Sequence, residues 1–320
     1  AAAAGAAPDA VAVLVAAIGA KGRRRQWRHA IALLASAPDR CRTLSARNAA
    51  LGACARGQRW PLALAGLCAL RDIRMRPDVV SFSSVIVACR GHAEWQRALL
   101  LLFEAMQSPG VVMDQAALNA AIAACEKGGR WAEAVALLGV AAQAALGPDV
   151  VGCSSAASAC EKGRRWREAL GVLHGARVLG VRPDAMFYGA VASACEKARR
   201  WRWALALLHE ATASAGADAV LRSAVASACE AAGRWAEVLH LWADAQRCGL
   251  PAEVVTSTAA IAAMGGASGW AAALDVLLGL QRRRQEDGLA YLAAVLAARR
   301  ACRPDRAVAL APAARLRLGQ

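Results

Sequence analysis

One block of residues recurs along this chain and limits what it can fold into. NAAIAACEKGGRWAEAVALL runs from Asn119 to Leu138. It returns as SSAASACEKGRRWREALGVL from Ser154, as GAVASACEKARRWRWALALL from Gly189 and, more faintly, as SAVASACEAAGRWAEVLHLW from Ser223. Tryptophan keeps the frame well beyond these copies. Trp27, Trp60, Trp95, Trp131, Trp166, Trp201, Trp235 and Trp270 are separated by 33, 35, 36, 35, 35, 34 and 35 residues, and Pro304 takes the next slot. Only Trp203 and Trp242 lie off the frame. A period of this size is the signature of a solenoid, in which each repeat packs on its neighbours.

Each repeat reads as two helices. Leu118, Ala121, Ile122 and Cys125 fall at i, i+3, i+4 and i+7 and make one apolar stripe. Lys127, Gly128 and Gly129 interrupt it, and a glycine past the helix end suits a left-handed cap. Trp131, Ala134, Val135 and Leu138 make the second stripe. Gly147, Pro148 and Asp149 close the repeat, because proline cannot continue a helix and Asp favours turns. Arg76–Asp78 and Arg182–Asp184 repeat the ending as RPD. Two short amphipathic helices bury their stripes only by stacking on the next pair. The tryptophan, which opens the second helix, is expected to pack in that stack rather than touch a ligand.

Composition fits this picture. Hydrophobic residues are 58% of the chain, much of it alanine, while aromatics are 5%. Alanine-rich segments favour helix. Lys and Arg total 39 against 24 Asp and Glu, a formal charge of +15, which suits a polyanionic partner. Of the eleven cysteines, Cys54, Cys89, Cys125, Cys160, Cys195 and Cys229 keep the repeat frame on the apolar helix face, where cysteine acts as a small hydrophobe. There is no CxxC and no Cys/His cluster with metal spacing, so reduced thiols and no metal are expected. No run of 18 uncharged apolar residues suggests a membrane span. Lys21, Arg23, Arg24 and Arg25 follow the apolar run Ala10–Ala20, the reverse of a signal peptide.

The run PDVVSFSSVIVACRGHAEWQRALLLLFEAM, from Pro77 to Met106, strongly resembles the pentatricopeptide repeat: a small polar residue after an apolar pair, A-C near the first helix end, A-L in the second helix and P-D at the boundary. A tetratricopeptide repeat has about 34 residues and carries its tryptophan in the first helix; here the tryptophan opens the second. The resemblance covers residues 10–310, with repeats at about 10–43, 44–78, 79–114, 115–149, 150–184, 185–218, 219–253, 254–287 and a degenerate 288–310, followed by a tail at 311–320. It implies an all-α fold, a right-handed superhelical α-solenoid of helix-turn-helix repeats. It also implies single-stranded RNA as the partner, one base per repeat.

In that family the base is chosen by the fifth residue of a repeat and by its last residue. The fifth positions here are Asn48, Ser83, Asn119, Ser154, Gly189, Ser223, Thr258 and Leu292. The last positions are Asp78, Asp114, Asp149, Asp184, Asp218, Glu253 and Asp287. The chemistry agrees with these roles. An amide offers donor and acceptor, a hydroxyl offers either, and a carboxylate only accepts, so it suits the ring N–H of uracil or guanine. By the family's pairing rule Asn with Asp takes U and Ser or Thr with Asp takes G. Gly189/Asp218 then takes G weakly, Ser223/Glu253 stays open, and Leu292 reads nothing. The implied footprint is 5′-UGUG(G)nG-3′, with the chain's N-terminal repeats at the RNA 5′ end. Each Asp is equally suited to cap the next helix.

The second residue of each repeat packs on base faces in the family. It is Val80, Val151, Met186, Val220 or Val255 here, with Ser45 and Ala116 as variants. Arg56, Lys127, Lys162 and Lys197 share one slot near the end of the first helix, where the family contacts phosphate. Such contacts position RNA without reading it. Arg130, Arg164, Arg165, Arg199 and Arg200 sit beside the tryptophan and are expected to keep the turn soluble.

No catalytic constellation accompanies these features. The five histidines share no repeat position, and no Walker loop, G-x-S-x-G or H-E-x-x-H occurs. A non-enzymatic, cofactor-free monomer is expected, off the membrane, acting on organellar transcripts and working with RNA-processing or editing proteins. The family's address is chloroplast before mitochondrion. Two other readings compete: a tetratricopeptide-like scaffold that holds a peptide, and a divergent array that binds RNA by charge alone.

Overall fold

The computed structural model describes residues 2–92, 94–143, 146–214, 219–234, 237–238 and 240–241. All regular structure among them is helical: α1 (Ala2–Arg23), α2 (Trp27–Ser36), α3 (Leu44–Arg56), α4 (Trp60–Asp72), α5 (Val79–Cys89), α6 (Trp95–Gln107), α7 (Gln115–Lys127), α8 (Trp131–Gln143), α9 (Val150–Lys162), α10 (Trp166–Val178), α11 (Ala185–Lys197), α12 (Trp201–Ser214) and α13 (Ala219–Ala231). Each even-numbered helix starts on the framed tryptophan, and α1 begins ahead of residue 10. None of these helices is long and apolar enough to cross a membrane.

The chain divides into two compact units, residues 1–163 with 174–181 and residues 164–173 with 182–320. In the first, the odd-numbered helices pack in series, α1 on α3, α3 on α5, α5 on α7 and α7 on α9. The even-numbered α2, α4, α6 and α8 each rest on the two odd helices beside them. In the second, α11 packs on α13 and α12 rests on both.

Small residues make this close stacking possible. Ala46, Ala53, Ala117, Ala121, Ala124, Ala157 and Ala159 are wholly buried. Leu118, Ile122 and Cys125 are buried as their spacing predicts. The second-helix stripe differs from the expectation. Ala134, Leu137 and Ala141 are buried, whereas Trp131, Val135 and Leu138 are half-buried. A helix lying over two others is covered along its middle and only flanked at the sides. None of the nine cysteines among the described residues is in a disulfide. Burial pushes the thiols of Cys89, Cys125, Cys195 and Cys229 up to about 11.

The left-handed cap inside the repeat falls on the second of the two glycines. Gly128 is right-handed, with φ −78°, and the left-handed residue is the next one, Gly129 at φ +67°. The same position, two before the tryptophan, holds Arg25, Gln58, Arg164, Arg199 and Gly233, all with positive φ. The residue after it donates its N–H to the carbonyl of the framed cysteine. The bonds are Arg59 to Cys54 at 2.9 Å, Arg130 to Cys125 at 2.8 Å, Arg200 to Cys195 at 2.8 Å and Arg234 to Cys229 at 2.9 Å. With Gln58 N–H to Ala55 O at 3.0 Å, this is the Schellman closure. The Cys-to-Arg spacing of the recurring block is the length of that closure.

Gly128 serves a different purpose. A Cβ built on it would lie 2.5 Å from Cδ1 of Trp95, in the preceding repeat. Gly57 stands in the same relation to Trp27 at 2.8 Å, and Gly163 to Trp131 at 2.6 Å. The glycine is the seat for the previous tryptophan. The arginine that ends the closure then covers that ring. Arg59 lies 5.1 Å from the Trp27 ring centroid, Arg130 4.5 Å from Trp95, Arg200 5.1 Å from Trp166 and Arg234 4.6 Å from Trp201. Such contacts are attractive by about 0.5–1 kcal/mol each at exposed sites. Where Glu94 takes the arginine's place, Arg97 from the next turn covers Trp60 at 3.9 Å. Arg130 and Arg200 therefore tie repeats together, beyond keeping a turn soluble. In the repeat with Ala198, in the slot held by Gly57, Gly128 and Gly163 elsewhere, Trp166 packs against Trp203 with centroids 6.4 Å apart.

Candidate nucleic-acid interface

The helices α5, α7, α9 and α11 each open on a last-position Asp in extended conformation. Asp78, Asp114, Asp149 and Asp184 accept the N–H of Ser81, Ala117, Gly152 and Phe187 at 2.8–2.9 Å. These are helix N-caps. The cap uses one carboxylate oxygen and turns the side chain back along the preceding odd helix.

That geometry brings the fifth and last residues together in the first compact unit. Asn48 Nδ2 donates to both oxygens of Asp78, at 2.9 and 3.0 Å. Asn119 Nδ2 donates to Asp149 at 2.8 Å. The Ser83 hydroxyl lies 2.9 Å from Asp114 Oδ1 and 2.7 Å from the Val79 carbonyl. Capping and pairing thus coexist on the same carboxylates. Ser154 belongs to the first unit and Asp184 to the second; the Ser154 hydroxyl is buried without a partner among the described residues.

Second-position residues are exposed in spite of their apolar character. Val80, Val151, Met186 and Val220 are 54–64% exposed. Beside Asn48 and Asp78 a groove of about 660 Å³ is lined by Val15, Leu44, Ser45, Ala49, Gly52, Arg56, Val80 and Ser84 together with that pair. It gathers a fifth residue, a last residue, a second residue and a basic residue from the expected set. Val15, Leu44, Ala49, Gly52 and Ser84 are additions. Val15 was detectable: it precedes Trp27 by twelve residues, as Asn48 precedes Trp60. With an alkyl side chain there, the first repeat has no hydrogen-bonding fifth position.

In the second compact unit Gly189 is buried, and a Cβ on it would meet only Val220, at 3.7 Å. The hydroxyl of its neighbour Tyr188 donates to Glu210 at 3.2 Å. Ser223 donates to the Val220 carbonyl at 2.9 Å. Asp218, Glu253, Val255, Thr258, Asp287 and Leu292 lie outside the described residues.

The basic slot is uneven. Lys127 is exposed. Lys162 Nζ bonds Glu126 of the preceding repeat at 2.9 Å. The Arg56 guanidinium lies beside Gly52, within 3.6 Å of where its Cβ would stand. Lys162 thus holds two repeats together, a role its spacing does not reveal.

No family model matches the sequence, and no curated protein matches it. Solved structures do. The pentatricopeptide repeat protein PPR10 from maize superposes with a TM-score of 0.65 at 23% identity, over 94% of this chain and 43% of that one. PPR10 in complex with an 18-nt psaJ RNA element gives 0.46 at 15% identity, over 85% and 45%. The PPR domain of protein-only RNase P 1 from Arabidopsis thaliana, in complex with tRNA, gives 0.46 at 11% identity, over 51% and 86%. The chain spans less than half the length of the maize structure. The helical repeats described here have the fold of the pentatricopeptide repeat proteins.

Proposed function

We propose that this chain binds single-stranded RNA by sequence, one base per repeat, with the fifth and last residues of each repeat facing the base edge. The observation that carries this reading is the direct hydrogen bonding of Asn48 to Asp78, Ser83 to Asp114 and Asn119 to Asp149. Each pair sets a carboxylate acceptor beside a donor. Uracil and guanine carry a ring N–H next to a carbonyl, the complement of that arrangement. Adenine and cytosine put a bare ring nitrogen there and meet the carboxylate with a lone pair. The exposed Val80 and Val151 suit contact with base faces. A peptide-holding scaffold has no use for one hydrogen-bonding pair in each repeat.

The resemblance to pentatricopeptide repeats supports a place in organellar RNA metabolism, in stabilisation, processing, editing or translation of transcripts. The test is binding to 5′-UGUGGAG-3′ and to the same oligonucleotide with every U and G exchanged for C and A. Preference for the first supports the reading, and equal affinity overturns it. Alanine at both Asp149 and Asp184 separates the alternatives. Loss of preference with retained binding fits base reading, and unchanged RNA binding fits a peptide scaffold or an array held by charge.

A further inference from the structure

Asn48/Asp78 and Asn119/Asp149 carry the same two residues, and the reading above gives both uracil. Their surroundings differ. The Asn48 carbonyl accepts the Ser81 hydroxyl at 2.7 Å, and that hydroxyl also lies 2.9 Å from Asp78 Oδ1. Ser81 is fully buried, and its N–H is the one that Asp78 caps. Asn48 is thereby tied at both ends of its amide. At Asn119 the corresponding third residue of the following repeat is Gly152, which has no hydroxyl to give. Among the described residues the Asn119 carbonyl has only Gln115 Nε2 at 3.5 Å, a distance too long for much hold, and Gln115 Oε1 is itself buried without a partner there. A Cβ on Gly152 would lie 2.7 Å from the Asn119 carbonyl oxygen, so nothing larger than glycine fits beside the amide as it stands.

We propose that the third residue of the following repeat positions the reading amide, so that Asn48/Asp78, held by Ser81, discriminates its base more sharply than Asn119/Asp149, which faces Gly152. The inference rests on the base reading proposed above. Turning the Asn48 amide over would set its oxygen against the Asp78 carboxylate and cost the Ser81 donation. Asn48 therefore presents a single pattern before RNA arrives. The Asn119 amide is anchored at one end, and it swings to accommodate a wrong base with less lost.

The experiment uses the full chain and three oligonucleotides: UGUGGAG, the same with C at the first nucleotide, and the same with C at the third. Fluorescence anisotropy gives the affinity ratio for each exchange. The first-position ratio is expected to exceed the third by about five-fold, the worth of one net hydrogen bond. S81A should bring the first-position ratio down to the third and leave the third unchanged. G152A, which forces Asn119 aside, should lower the third-position ratio alone. Ser81 also belongs to the cap of α5, but a purely structural loss would weaken all three RNAs by one factor and leave both ratios intact. Equal ratios in the unmodified chain, or an S81A variant whose ratios do not change, overturn the inference while base reading stands. If neither C-containing RNA is distinguished from the parent, base reading fails and the inference falls with it.

Discussion

At Asp78, Asp114 and Asp149 a single carboxylate performs two tasks, and a substitution can separate them. Asp149 caps α9 through Gly152 N–H and receives the Asn119 amide. Asn caps almost as well as Asp, whereas alanine loses about 1 kcal/mol. D149A should therefore lower the stability by about that amount, and D149N should keep it within about 0.5 kcal/mol. Both should lose the preference for U at the third nucleotide, since neither keeps a carboxylate acceptor. Thermal melts and paired binding titrations check this. The framed cysteines make a second residue-scale prediction. Burial holds the thiols of Cys89, Cys125, Cys195 and Cys229 at about 11, above the ordinary thiol value of 9.0. The unfolded chain ionises them first as pH rises, so their contribution is complete below about 9 and is lost through about 11. The melting temperature under reducing conditions should fall across that window, and more gently in a variant with the four changed to alanine.

At the scale of the helix and its turn, the recurring block is a coupling device. The Schellman closure sets the reach from cysteine to arginine, the glycine before it receives the previous tryptophan, and the arginine covers the ring. G128A must displace Trp95 from a contact of 2.5 Å, and a cost of about 1–3 kcal/mol is expected from overpacking. The left-handed position has the opposite sign. Arg199 holds φ +55°, where a side chain is unfavourable by about 1 kcal/mol or more. R199G should raise the melting temperature. A lower one would show that the Arg199 side chain contributes more than its backbone costs.

For the molecule as a whole, RNA affinity should depend steeply on salt. Four phosphate contacts, at about 0.7 each for single strands, give a log–log slope of roughly −3. The contributions should be unequal. K127A should reduce the slope by about 0.7, because Lys127 is exposed and has no ion pair among the described residues. Lys162 must first leave Glu126, and such exposed pairs hold by about 0–1 kcal/mol. E126A should accordingly raise affinity at low salt, and titrations at several salt concentrations will show whether it does.

Much of this was legible without a structure. The tryptophan period located the starts of α2, α4, α6, α8, α10 and α12, because helix periodicity and proline or glycine breaks are local properties of the chain. The Asp before α5, α7, α9 and α11 was recognisable as a cap for the same reason. What the sequence leaves undetermined lies between repeats. Of the two glycines after α7, Gly129 takes the left-handed cap, and Gly128 is explained only once the stack brings Trp95 against it, by space rather than dihedral freedom. Lys162 looks like a free cation until α9 is set beside α7 and Glu126 comes within 2.9 Å. Asn48 and Asn119 are the same letter in the same slot, and only the packed neighbours, Ser81 in one case and Gly152 in the other, make them different. Repetition places these residues in equivalent positions. The distance and angle at which one repeat meets the next decide which of them touch.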